Sequence, residues 1–140
     1  MISLKRLLRE YREEPSELDA SVKVIITRKG DGLYEKVSHH FSTHGDAVLD
    51  PQRRKIYIDG ETADNENWTQ DHFLFVQAHE IAHLRLKHTP GSKDIEAEAD
   101  FYAICHLLEK GHEEAARVGI SQFEFRNGLT FDEYREKIGE

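Results

Sequence analysis

The residues best suited to chemistry are His79, Glu80 and His83, in the run His79-Glu80-Ile81-Ala82-His83. Along a helix, four residues advance the wheel by about 400°, so the two imidazoles leave nearly the same side and can share one ion. Glu80 sits roughly 60° from His83 on that wheel, too far round to be the obvious third ligand. It is well placed to reach a water held at the ion. This is the H-E-x-x-H arrangement of zinc hydrolases, with two neutral nitrogens for the metal and one carboxylate as general base. The surrounding segment Trp68 to His88 carries Phe73, Leu74, Phe75, Val76, Ala78, Ile81, Ala82, Leu84 and Leu86. Apolar residues surround most of its axis, which predicts a buried helix. Imidazoles and a carboxylate in such a helix need something to offset their desolvation. The competing reading has both histidines bonded to backbone carbonyls in an ordinary core.

Thirteen residues beyond His83, Glu96 and Asp100 lie four apart, with Ala99 and Ala103 on the same face. Small side chains let that second helix approach the first closely. Glu96 then offers the third, oxygen ligand and leaves one position open for water. Asp100, one turn on, can accept a hydrogen bond from a ligand imidazole and fix its tautomer. Glu98 points about 160° away from Asp100's side and reads as solvated. The other histidines are weaker candidates. His88 reads as a surface residue at the helix end. His39, His40 and His44 have no patterned carboxylate or cysteine beside them, so no second metal site is expected there. His112 and Tyr102 could stabilise an oxyanion, but nothing in the sequence brings them to the metal. Cys105 and His106 are neighbours on a helix and do not face each other, which removes a cysteine-nucleophile route.

The elements that must position these groups follow from periodicity. Ser3 to Glu14 reads as an amphipathic helix through Leu4, Leu7, Leu8 and Tyr11. Val22 to Thr27 reads as a strand closed by the turn Lys29-Gly30-Asp31-Gly32. Extended stretches are expected at Glu35 to Phe41 and at Ala47 to Leu49, the latter before a turn at Asp50-Pro51. Ile56 to Ile58 forms a further strand, and the polar segment Glu61 to Asn67 reads as a loop. Thr89-Pro90-Gly91 stops the Trp68–His88 helix. A second helix runs from Lys93 to Lys110, ended by Gly111. A short helix is expected over His112 to Val118, an extended piece at Gln122 to Phe125 and a final helix at Phe131 to Ile138. Strands first and helices later predict an α+β fold, a small twisted sheet packed on the His79 helix and the Glu96 helix.

Composition excludes several classes. A chain of 140 residues with no linker or repeat reads as one domain over residues 1–140. A net charge of −8 argues against direct nucleic-acid binding, since phosphate contacts need clustered Lys and Arg. The short basic stretches at Lys5-Arg6, Arg9, Arg12 and Arg53-Arg54-Lys55 read as solvated faces. The single cysteine, Cys105, allows no internal disulfide and sits in an apolar run, as a small buried hydrophobe would. The N-terminus lacks the apolar core of a signal peptide, and no run is long enough to span a bilayer. A cytoplasmic protein without membrane contact is expected.

From Lys55 to Leu108 the chain resembles gluzincin-type metallopeptidases, most of all the ImmA/IrrE family. The resemblance rests on the strand Lys55-Ile56-Tyr57-Ile58-Asp59, the run Phe73 to Val76 leading into His79-Glu80-Ile81-Ala82-His83-Leu84, and Glu96-Ala97-Glu98-Ala99-Asp100 with Tyr102-Ala103. It implies zinc held by His79, His83 and Glu96, with Glu80 as catalytic carboxylate. It also implies a protein substrate, often a helix-turn-helix repressor, paired with a sheet edge at Ala47 to Leu49 or Ile56 to Ile58. The segment Ile104 to Gly111 departs from the pattern by lacking a Met-Pro ending, and the Glu96–Asp100 motif followed by Gly111-His112 also resembles minimal gluzincins. The expected activity is hydrolysis of peptide bonds by a zinc metalloendopeptidase. The rival is a metallopeptidase-like module that binds a regulatory protein without cleaving it.

Overall fold

Two five-residue runs with alternating apolar side chains, Lys23–Thr27 and Lys55–Asp59, pair in parallel and form the centre of a four-stranded sheet. The structure, a computed structural model, describes residues 3–9, 13–44, 46–88 and 94–139. In chain order the elements are α1 (Leu4–Arg9), β1 (Glu14–Pro15), β2 (Lys23–Thr27), α2 (Gly32–His44), β3 (Ala47–Asp50), β4 (Lys55–Asp59), α3 (Gly60–Asn65), α4 (Gln70–Leu86), α5 (Ile95–Glu109), α6 (Glu113–Asn127) and α7 (Phe131–Lys137). The fold is α+β. Strand order is β1-β2-β4-β3, with β1 and β3 antiparallel to their neighbours.

Alternation along the strands sends the two faces of the sheet to different partners. Val24, Ile26, Ile56 and Ile58 enter the main core with Phe73, Phe75, Ile81, Ile104 and Leu107 of the helices. Ile25 and Tyr57 face the other way and pack with Phe41, Leu33, Tyr34 and Val37. Those last four belong to α2, which corrects the extended reading of Glu35 to Phe41. Leu33, Val37 and Phe41 recur every four residues, a helical stripe, and the second sheet face needs a helix to cover it. The parallel β2–β4 pair also needs a crossover between its strands.

Three further corrections concern the type or extent of an element. Most of Glu61 to Asn67 is helical in α3, because Asp59 caps it by accepting the Glu61 N–H at 3.0 Å and Ala63 is buried. The short helix from His112 and the extended piece at Gln122 to Phe125 are one continuous helix, α6, whose buried Ala115, Ala116, Gly119 and Phe123 keep helical spacing. Gly119 is required there: a Cβ would come within 2.7 Å of the Phe75 ring, so only glycine lets α6 lie on α4 this closely. The N-terminal helix does not reach Glu14 as read: among the described residues α1 covers Leu4–Arg9, Glu14 lies in β1, and residues 10–12 are outside the described residues. The stop at Thr89-Pro90-Gly91 and the start at Lys93 also lie outside them.

The helices that carry the chemistry match the reading. Thr69 caps α4 by accepting the His72 N–H at 3.1 Å. The α5 helix packs on α4, and its Ala99 and Ala103 are fully buried. It ends at Glu109, with Lys110 as its cap and Gly111 next in the left-handed region with φ 83°. Thr130 and Glu133 form a capping box at the start of α7. Among the described residues no helix is long and apolar enough to cross a membrane.

Candidate metal centre

The buried middle of α4 turns His79, Glu80 and His83 toward the start of α5. One donor atom from each lies within 4.8 Å of the others, so the three can hold a metal ion. His79 Nε2 is 3.1 Å from His83 Nε2 and 2.8 Å from Glu96 Oε2, and His83 Nε2 is 3.4 Å from Glu96 Oε1. Donors held about 2.0–2.1 Å from one tetrahedral ion lie roughly 3.4 Å apart, and the triangle of the two imidazoles and the Glu96 carboxylate, which turns a different oxygen to each ring, is of that size. Glu80 stands just outside it, its Oε2 3.9 Å from His79 Nε2.

Asp100 lies directly behind His79. Its Oδ1 accepts from His79 Nδ1 at 2.7 Å, which commits the ring's other nitrogen, Nε2, to the side of the ion. The second oxygen, Oδ2, is buried without a hydrogen bond among the described residues and has Arg126 Nη1 at 3.6 Å. Burial opposes charging of His79, but its bonds to Asp100 and Glu96 and the charge on Glu80 outweigh that and push its pKa up to about 10. In the metal-free chain the imidazolium therefore donates from Nδ1 to Asp100 and from Nε2 to Glu96. The Nε2 proton stands where an ion would. Hydrogen bonds from His79 and His83 hold the Glu96 carboxyl well below its ordinary range. Burial raises the Glu80 carboxyl, the two imidazoles pull it down, and Glu96 and Asp100 push it further up.

Glu80 and His79 open onto a cavity of about 300 Å³. Asp46 and Ala47 beside the outer strand β3 form one wall, and Gln122 and Arg126 of α6 form another. Of the two strands offered for substrate pairing, Ile56 to Ile58 lies in β4, enclosed between β2 and β3; β3 is the edge strand. The α6 residues were invisible to a reading that made Gln122 to Phe125 extended. Their signal was the helical spacing of Gln122 and Arg126, which are hydrogen-bonded at 3.3 Å.

Two residues read as solvated stand behind His83 instead. His88 Nδ1 is 2.9 Å from His83 Nδ1, and His88 Nε2 is 3.4 Å from Glu98 Oε2. The His88 side chain is only 9% exposed, against the surface position expected for it. Tyr102 and His112 do not line the cavity. Tyr102 Oη accepts from Arg85 at 3.2 Å, and His112 lies at the N-terminus of α6. His39 and His40 pack ring on ring on α2, with centroids 3.9 Å apart; the His44 side chain is outside the described residues. Cys105 is half-buried against the core rather than fully enclosed. Compared with protein-family models, curated proteins and solved structures, the chain matches none of them.

Proposed function

We propose that this protein is a zinc-dependent metalloendopeptidase that hydrolyses peptide bonds of a protein substrate, with His79, His83 and Glu96 as zinc ligands and Glu80 as general base. The observation that carries the reading is the position of Glu80. It is a buried carboxyl on the cavity wall, its donor atom within 4.8 Å of those of both imidazoles and its Oε2 3.9 Å from His79 Nε2, farther than the Glu96 oxygen at 2.8 Å. A binding module has no use for a carboxylate held there at the cost of its desolvation. When bound, zinc supplies Lewis acidity that polarises the scissile carbonyl and acidifies the attacking water.

The chain's own residues supply the rest. The edge of β3 offers backbone donors and acceptors to an extended peptide, which lays its scissile bond over the cavity. Glu80 draws a proton from the attacking water onto its carboxylate and returns it to the leaving nitrogen. Asp100 holds the His79 ring in register throughout. The resemblance to the ImmA/IrrE family supports a helix-turn-helix repressor as substrate class. The lone Cys105, which can form no internal disulfide, supports a cytosolic setting.

The test is zinc content and cleavage on the untagged chain. Wild type carries one zinc and cleaves a repressor-type substrate; Glu80→Gln keeps the zinc and loses about 10³-fold in turnover. A Glu80→Gln chain that cleaves at the wild-type rate would remove Glu80 from the mechanism. Zinc binding with tight capture of the substrate and no cleavage would favour the interaction module instead.

A further inference from the structure

We infer that His88 is the positioning residue for His83, with Glu98 as the terminal acceptor behind it, so that both histidine ligands are anchored to α5 through their Nδ1 atoms. This rests on the metal-centre reading above and extends it to two residues outside the ligand set.

The argument begins with the backbone. α4 ends at Lys87, which adopts the left-handed conformation with φ 54° and ψ 44°. The His88 N–H bonds to the His83 carbonyl at 3.2 Å and the Lys87 N–H bonds to the Leu84 carbonyl at 3.3 Å, the two bonds of a reversing helix cap. Glycine is the usual residue at the left-handed position, and a side chain there is strained. The chain bears that strain with a lysine. The outcome is that His88 folds back over the last turn of its own helix, with its ring 5.1 Å from the His83 ring and inclined at 70° to it.

Tautomer logic then fixes the direction of the bonds. For His83 to present a lone pair at Nε2, its proton must sit on Nδ1. Among the described residues that proton faces the His88 Nδ1 at 2.9 Å, which then acts as the acceptor. The His88 proton is thereby confined to Nε2, the nitrogen facing Glu98 Oε2 at 3.4 Å. His88 is no fourth ligand, since its Nδ1 meets the His83 nitrogen remote from the His79–Glu96 triangle. Where Asp100 reaches His79 directly, Glu98 reaches His83 through one intervening ring. Asp100 is buried at 1% exposure and Glu98 is 51% exposed, so the second anchor is the softer one.

Chelator-competition titration with zinc alone, on the full chain, tests this, with the thermal midpoint of each metal-free variant measured beside it. His88→Ala leaves the His83 Nδ1–H without its acceptor and weakens zinc binding about tenfold or more. His88→Asn places an amide oxygen where the ring nitrogen stood and retains affinity within about threefold of wild type. Wild-type affinity in His88→Ala overturns the inference. So does equal weakening in both variants together with equally lowered metal-free midpoints, because that is the mark of a helix-end packing residue. A wild-type chain that takes up no zinc removes the metal-centre reading itself, and this inference with it.

Discussion

The two ends of α5 treat buried imidazoles in opposite ways. Its first turns present Glu96, Glu98 and Asp100 to the rings of His79, His83 and His88, and every ring nitrogen in that group has a polar partner within 3.4 Å. Its last turns bury His106 at 6% exposure with neither ring nitrogen hydrogen-bonded among the described residues. The titrations diverge accordingly. Burial pushes both rings toward the neutral form. Carboxylates around His79 reverse that, while burial lowers His106 and the Arg85 and Lys110 charges lower it further. Burial of a histidine is therefore no sign of function by itself. What separates the two ends is whether the fold supplies partners, and it does so where an ion would need oriented lone pairs.

The sharpest break in that contrast is Asp100→Ala, which makes His79 resemble His106. His79 Nδ1–H then loses its acceptor inside the protein, and zinc affinity falls by about 10- to 100-fold in competition titrations. Retained affinity would mean that the partners at the start of α5 do nothing for the metal.

A proton competition gives a smaller and graded effect. His79 Nε2 must release its proton before it can ligate, and its pKa stands at about 10 in the metal-free chain. Apparent zinc affinity therefore weakens as pH falls below that value, by about tenfold per unit for one proton released. Titrations at pH 7.5 and 8.5 check the slope. Stability of the metal-free chain moves in the other direction. The raised pKa contributes fully below the ordinary histidine value of 6.5, and that contribution is lost as pH rises through about 10. An affinity that is flat across the range would show that His79 is already neutral and that the carboxylates around it do not hold a proton.

Sequence periodicity makes α4 and α5 legible because each is long and apolar along much of its length, and Gly111 marks the end of α5. The proposed donor set follows from there, since helical spacing turns His79 and His83 together and α5 carries Glu96 to within 2.8 Å of His79. What escaped was set by distant surfaces. Val37 and Phe41 fit a strand as well as a helix until the bare face of the sheet at Ile25 and Tyr57 is known. Phe125 is aromatic, as a strand or core residue would be, yet it is 92% exposed on α6. His88 escaped because the reversal at Lys87 uses no glycine to announce it. Glu98 escaped for a geometric reason. A helical wheel tests whether it faces α4 side by side, whereas it meets His88 beyond the end of that helix.

His106→Leu makes the smallest change and bears on the other end of α5. Removing a buried ring whose nitrogens have no hydrogen bond among the described residues recovers about 1–3 kcal/mol of desolvation, less what is lost in contacts of the ring with Tyr102, whose centroid lies 6.0 Å away. A net gain of about 1 kcal/mol in denaturant unfolding is expected. The pH dependence identifies the cause. A folded-state pKa below the ordinary 6.5 means the unfolded chain binds the His106 proton first, so wild type loses stability as pH falls through 6.5 and below. His106→Leu loses that part of its acid sensitivity, so its advantage widens on acidification. Zinc affinity stays at the wild-type value, because no bond joins His106 to the donor triangle. A variant that is destabilised at every pH would show that His106 has a partner after all, and the two ends of α5 would then differ only in what they bind.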